Sequence, residues 1–277
     1  MDVGIHLPQF GRAAVPGGIQ RFARHAEDLG FAGLWVSDHL VVPASQSYPA
    51  PYLCDPLESL AFAAAATSSI GIGTSVLVLP QYPSPLALAN TLATLDYLSG
   101  GRLVLGAGIG WSQAEYEALH APFDHRGARL DEIIDLLRTA WRDDPASHEG
   151  RWYSFRDIRL LPKPAHDIPI WLGGSSDAAI ARAAAKGDGL HGLDISPEDA
   201  PAWVARLRAR RPDEGFTLSL RLTWDTTRIE PAEISRRCAV YRDAGVQYVV
   251  AVMERGDLDA WLAGAETIAV AAGVTPR

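Results

Sequence analysis

Gly33-Leu34-Trp35-Val36-Ser37-Asp38-His39-Leu40 is the stretch that decides the fold. Its apolar first half is the length of a buried strand, and Asp38 and His39 stand where that strand passes into a loop. An acid and an imidazole at the carboxyl end of a strand occupy the place where barrel enzymes keep their chemistry. Two further apolar runs, Val76-Leu77-Val78-Leu79 and Leu103-Val104-Leu105, repeat the pattern, and the second continues into Gly106-Ala107-Gly108-Ile109-Gly110-Trp111. Several strands thus aim polar or glycine-rich ends at one face.

Outward from there, one strand–helix unit recurs along the chain. Val3 to Leu7 reads as a strand and Gly18 to Leu29 as a helix, because Ile19, Phe22, Ala23, Ala26 and Leu29 fall at helical spacing and Gly30 stops the run. Leu34 to Val36 leads to an alanine-rich helix, Pro56 to Ser68. Ile70 to Leu79 leads to Leu86 to Leu98, and Leu103 to Ala107 leads to Arg126 to Trp141. His148 to Leu161 interrupts as a β-hairpin. Ile168 to Leu172 with Asp177 to Ala185, and Gly189 to Leu190 with Pro197 to Arg210, are the next two units. Thr217 to Leu222 with Pro231 to Ala244, and Tyr248 to Val252 with Leu258 to Ala271, complete the set. Eight units predict an α/β chain folded as a single-domain (β/α)8 TIM barrel over residues 1–277, with a small hairpin insertion after the fourth unit. A doubly wound sheet alternates in the same way, but Gly106, Gly108 and Gly110 lack the later glycine of a dinucleotide fingerprint.

Composition narrows the partners. A chain that is 48% hydrophobic and 21% charged has the makings of a large soluble core. Its net charge of -8, from 25 basic and 33 acidic residues, argues against a nucleic-acid surface. The one basic cluster, Arg206, Arg208, Arg210 and Arg211, reads as a solvated helix end. The apolar stretches are too often interrupted to span a bilayer, and no basic leader precedes the first strand, so a cytoplasmic location is expected. Cys54 and Cys238 read as inert thiols. His120 and His125, five apart with Pro122 between them, predict no metal site.

Gly30-Phe31 through Asp38-His39, Leu95-Asp96-Tyr97-Leu98-Ser99-Gly100-Gly101-Arg102-Leu103 and Gly108-Ile109-Gly110-Trp111 resemble the luciferase-like monooxygenase superfamily. Arg126-Gly127-Ala128-Arg129-Leu130-Asp131-Glu132 and Pro169-Ile170-Trp171-Leu172-Gly173-Gly174 extend the match, in order, over nearly the whole chain. The resemblance implies a barrel that binds flavin mononucleotide (FMN) or the deazaflavin coenzyme F420 at the carboxyl ends of its strands. The Asp-His pair, the Leu-Ser-Gly-Gly-Arg stretch and the short length are most similar to the deazaflavin-dependent branch, so F420 is the implied cofactor and FMN the alternative.

The same resemblance assigns roles. His39 is the implied catalytic residue, positioning substrate or moving a proton, beside Asp38; capping the strand and bonding Asp38 is its other reading. Ser75 and Val76 match the place where relatives carry a non-prolyl cis peptide behind the ring. Gly106, Ala107, Gly108, Ile109 and Gly110 match a loop where small residues let backbone approach the cofactor. Gly173, Gly174, Ser175 and Ser176, at a helix start, form a candidate phosphate site, or a plain turn with Ser176 as N-cap. His6, Tyr48, Trp111 and His191 are candidate substrate-pocket residues, with Tyr52 and Tyr82 as further loop aromatics. In sugar-phosphate dehydrogenases of the family a glutamate acid directly follows Gly-x-Gly. This chain has Trp111 there and Glu115 four residues on, which argues against the same acid/base pair and leaves the proton donor open. Arg102 and Asp96 read as structural.

The implied activity is hydride transfer between C5 of F420 and a small, mostly apolar organic substrate. The alternatives are an FMN-dependent monooxygenase, and a non-catalytic cofactor-binding or partner subunit. A homodimer is the family-based expectation.

Overall fold

The computed structural model describes residues 1–44, 53–213, 215–253 and 256–276. The chain begins with β1 (Asp2–His6), α1 (Gly18–Leu29), β2 (Gly33–Val36), α2 (Pro56–Ala66), β3 (Gly71–Thr74), β4 (Leu77–Val78) and α3 (Pro85–Ser99). It continues with β5 (Leu103–Gly108), α4 (Gln113–Ala118), α5 (Arg126–Arg142) and the antiparallel hairpin β6 (Ala146–Glu149) and β7 (Ser154–Ile158). The second half is β8 (Ile170–Gly173), α6 (Asp177–Lys186), β9 (Gly189–Leu193), α7 (Ala200–Arg208), β10 (Thr217–Thr223), α8 (Pro231–Asp243), β11 (Tyr248–Val252) and α9 (Leu258–Ala272).

The strands close into a parallel barrel in the order β1, β2, β3, β5, β8, β9, β10, β11 and back to β1. This is the expected (β/α)8 barrel with its hairpin after the fourth unit. The third barrel position departs from the expected continuous strand, Ile70 to Leu79. It breaks at Ser75 and Val76, where the non-prolyl cis peptide implied by the resemblance is present; β3 pairs with β5 through Ile72 and Leu103, and β4 resumes opposite Ala107 and Gly108. The short helix α4 was also not expected. Among the described residues no helix is long and apolar enough to cross a membrane.

Helix boundaries follow local chemistry. Asp55 caps α2 by accepting the N–H groups of Leu57 and Glu58, with Pro56 in the first turn, and Ser84 and Pro85 begin α3 in the same way. The hairpin turn is clamped onto α5 by Glu132, whose carboxylate accepts the backbone N–H groups of Arg151, Trp152 and Tyr153 at 2.7–3.0 Å. Arg102 and Asp96 hold the corner between α3 and β5. The guanidinium donates to the carbonyls of Ser99, Ile70 and Ala64, and the carboxylate accepts from Leu103 and Ala165. The arginines ending α7 are occupied too, Arg206 by Asp177 and Arg211 by Asp213, both at 2.7 Å.

Period-two alternation divides each strand between two cores. Val3, Ile5, Leu34, Val36, Leu103 and Leu105 face outward into the apolar shell under the helices. The inward faces enclose a separate cluster of Trp35, Trp171, Val250 and Val252. Trp35 stacks on Trp171 (5.2 Å between centroids) and on His191 (5.7 Å), and its indole N–H donates to the Tyr248 hydroxyl at 3.1 Å. Glycines make room for these rings: a Cβ on Gly4 would lie 2.4 Å from Trp35 Nε1, and one on Gly73 2.6 Å from Trp35 Cζ3. The lumen is packed rather than hollow. Cavities of about 550 Å³, beside Trp141 and Asp188, and about 380 Å³, beside Asp2 and Tyr248, lie at the amino-terminal side of the strands.

Candidate active site

The polar groups gather at the opposite end, where β2 runs out. Gln9, fully buried, receives the Ser37 N–H at 2.6 Å and donates to the carbonyls of Ser37 and Cys54 at 3.0 Å. Asp38 Oδ2 accepts the Val78 N–H at 2.8 Å, which ties the turn to β4. His39 then reaches across the mouth. Its Nδ1 lies 2.9 Å from Glu115 Oε1, and the Glu115 residue is only 2% exposed. Glu115 stands in the first turn of α4, which Ser112 caps by accepting the Glu115 N–H. Tyr116 pins the preceding loop by donating to the Ile109 carbonyl at 2.7 Å. A carboxylate at this distance fixes the orientation of the imidazole through its Nδ1. A buried histidine–carboxylate pair of this kind suits general acid–base work. Trp111, 59% exposed, stands edge-on to His39 at 6.3 Å between centroids.

Beneath this pair the titratable groups are kept neutral. Burial, then the charge of Arg221, pushes the pKa of His6 and His191 down to about 3. Both ring nitrogens of each are already used. His6 meets the Leu7 carbonyl and the Ser37 hydroxyl, and His191 meets the hydroxyls of Ser75 (2.7 Å) and Ser219 (2.8 Å). His6 and His191 are thus satisfied, buried histidines beneath the mouth, the other of the two readings their positions at strand ends allow. Asp38 is raised to about 7, mainly by burial, and its Oδ1 is buried without a hydrogen-bond partner. Its folded pKa lies above the ordinary 3.8, so its protonated form favours the fold and stability falls as pH rises from about 4 to about 7. The two histidines have depressed folded values, so their contribution is complete above about pH 6.5 and is lost on acidification toward pH 3. Asp38→Asn is expected to gain stability relative to the parent chain progressively between pH 4 and pH 7, in denaturant titrations run at a series of pH values. A difference that does not change with pH would contradict this.

The glycines of β5 make room for the neighbouring strand break. A Cβ on Gly106 would fall 1.8 Å from the Thr74 carbonyl oxygen, and one on Gly108 would fall 2.6 Å from Val76 Cγ2. One on Gly173 would meet Val76 Cγ1 at 3.0 Å. These positions are small so that the Ser75–Val76 segment can bulge inward; Ala107 faces the outer core. The part of that loop reaching the mouth is Ile109, Gly110 and Trp111. Gly173 and Gly174 are half-buried, and Ser175 and Ser176 are exposed at the start of α6, where Ser176 Oγ accepts the Ala179 N–H at 3.2 Å. Tyr48 and Tyr52 lie outside the described residues. Tyr82 has a buried hydroxyl without a hydrogen-bond partner. Glu115 is the site residue that the sequence reading passed over. Ser112-Gln113-Ala114-Glu115 is a serine–glutamate helix-start pattern that would have placed it in a first turn.

A family model described as luciferase-like monooxygenase matches residues 1–247. The F420-dependent glucose-6-phosphate dehydrogenase of Kineococcus radiotolerans is 30% identical over 233 residues, spanning 80% of this chain and 68% of that protein. The crystal structure of a monooxygenase from Streptomyces bottropensis aligns with a TM-score of 0.80 at 20% identity over 98% of both chains. An F420-dependent secondary alcohol dehydrogenase in complex with an F420-acetone adduct aligns at 0.82 and 16% identity, over 100% of this chain and 99% of that one. At such identities the two solved structures share the fold.

Proposed function

The chain belongs to the luciferase-like monooxygenase family, and from that premise we propose that it is a coenzyme F420-dependent oxidoreductase acting on a small organic substrate. The observation that carries this reading is the His39–Glu115 pair at the mouth, 2.9 Å apart. The choice of F420 is supported by the 30%-identical F420-dependent relative. The residues present fit such a cofactor. Asp38 brings a buried carboxyl group to the mouth beside the Tyr82 hydroxyl, the Val76 bulge offers an apolar platform, and the helix start at Gly173 to Ser176 suits a phosphate. When bound, the deazaflavin supplies a carbon centre that exchanges hydride two electrons at a time.

The protein's part is orientation and proton management. His39 holds or delivers the proton at the substrate heteroatom, and Glu115 fixes the imidazole and stabilises its charged form. Asp38, its pKa raised to about 7 mainly by burial, exchanges its proton near neutrality and is not a fixed charge. Trp111 covers the pair from the solvent side.

Titration of the purified protein with F420 and, separately, with FMN, followed by tryptophan fluorescence, tests the reading. Saturable binding of F420 in preference to FMN is the expected result. Preference for FMN would move the protein to oxygen-dependent chemistry, and binding of neither would remove the cofactor assignment. F420 binding without turnover across a broad substrate panel would favour a binding subunit.

A further inference from the structure

β10 carries an inward-facing arginine, Arg221, whose guanidinium has no hydrogen-bond or ion-pair partner among the described residues. Leu218, Leu220 and Leu222 point into the outer core, whereas the Ser219 hydroxyl bonds His191 Nδ1 inside the barrel. Arg221, two residues nearer the carboxyl end, leaves the strand on that same inner face. It stands opposite Leu193 of β9 and Val250 of β11, and Leu193 is 51% exposed at the rim. Its place two residues beyond Ser219 on the inner face sets it on the carboxyl side of His191, and its charge helps to depress the pKa of His6 and His191. Arg221 is half-buried, and its Nε is shielded from solvent with no hydrogen-bond partner. No side-chain hydrogen bond or ion pair reaches this guanidinium among the described residues.

Among the described residues, carboxylates of the mouth and the adjoining loops are engaged elsewhere. Asp194 Oδ1 accepts the Thr223 N–H at 3.0 Å, Asp225 faces Thr227 and Arg228, Glu115 faces His39, and Asp38 is raised toward neutrality. A partly desolvated guanidinium without a counter-charge is costly, and arrival of an anion relieves that cost. A single planar fork, with no lysine or second arginine beside it in the inner cluster among the described residues, matches one carboxylate in bidentate fashion better than a phosphate dianion.

We infer that Arg221 is the anion-receiving residue of the substrate pocket and that the substrate carries a carboxylate. The inference rests on the oxidoreductase reading above. The substrate lies across the mouth, its carboxylate on Arg221 at β10 and its reacting carbon toward His39 beyond β2. The expectation of a mostly apolar substrate is thereby narrowed to an amphipathic one.

Benzoate and its neutral isostere benzamide are suitable probes, titrated against tryptophan fluorescence with F420 affinity measured in parallel. The parent chain is expected to bind benzoate at least tenfold more tightly than benzamide. Arg221→Gln removes that preference, Arg221→Lys keeps part of it, and F420 affinity changes less than threefold in both. Thermal melts confirm that the variants fold, and the lysine variant keeps the comparison open should the glutamine variant not. Equal response to both probes in the parent chain, including no response to either, overturns the inference. So does a benzoate preference that survives Arg221→Gln. Loss of F420 affinity in Arg221→Gln overturns it as well, because the guanidinium then serves the cofactor. A benzoate preference in a parent chain that does not bind F420 removes the cofactor reading and leaves the anion site standing.

Discussion

Replacing His39 with alanine is expected to lower turnover by about 10²- to 10⁴-fold, the range over which positioned acid–base groups act. F420 affinity should stay within a few-fold. His39 is held from one side by the turn that Gln9 and Asp38 organise and from the other by Glu115, so removing the imidazole leaves the turn, the bulge at Val76 and the helix start at Ser176 intact. Glu115→Gln is expected to cost less, since the imidazole remains but loses its carboxylate. Combined with His39→Ala it should add little, because the two act as a unit. The measurement is the rate of absorbance change at the deazaflavin band, with F420 affinity by fluorescence as the control. Full activity in His39→Ala, or multiplicative losses in the double variant, would remove His39 from the chemistry.

Trp35→Ala carries the largest expected cost to stability, about 3–5 kcal/mol. The indole fills the lumen between Trp171 and His191 and donates to Tyr248. Its neighbours cannot close the gap. Gly4, Gly33 and Gly73 line it with backbone rather than with side chains able to change rotamer. A Trp35→Phe variant should recover part of the loss, since a smaller ring still fills much of the space. Urea unfolding checks both, read as a shift of midpoint at constant slope. A change below about 1 kcal/mol for Trp35→Ala would mean that the lumen collapses freely, contrary to a glycine-lined cage.

Most of the architecture was legible because each strand–helix unit carries its own local signals. Ile19, Phe22, Ala26 and Leu29 repeat at helical spacing and Gly30 ends the turn in a left-handed conformation (φ 92°), so α1 could be bounded from sequence alone. The break in the third strand was not legible as such. Val76-Leu77-Val78-Leu79 is an apolar run whatever its geometry, and the inward bulge depends on glycines at 106, 108 and 173, on other strands. The site divided along the same line. His39 was readable from its place after a strand, a local property. Its pairing with Glu115 spans 76 positions and depends on a six-residue helix whose composition is unremarkable. Arg221 was hidden for another reason: in an alternating strand an inward-facing charge looks like an outward-facing one until the barrel closes. The two histidines were placed at the correct end, but each is saturated, His6 by the Leu7 carbonyl and the Ser37 hydroxyl and His191 by the hydroxyls of Ser75 and Ser219, which only the closed barrel brings together.

The stacked indoles have a consequence for traffic. Trp35 and Trp171 stopper the barrel from below, so material reaches the His39 end from the carboxyl side of the strands and not through the lumen. Two guests that share that approach cannot come and go independently. Whichever sits deeper enters first and departs last, and the shallower one holds it in place meanwhile. A cage built from glycines and tryptophans, far from any reacting atom, thus imposes a queue on the molecules above it.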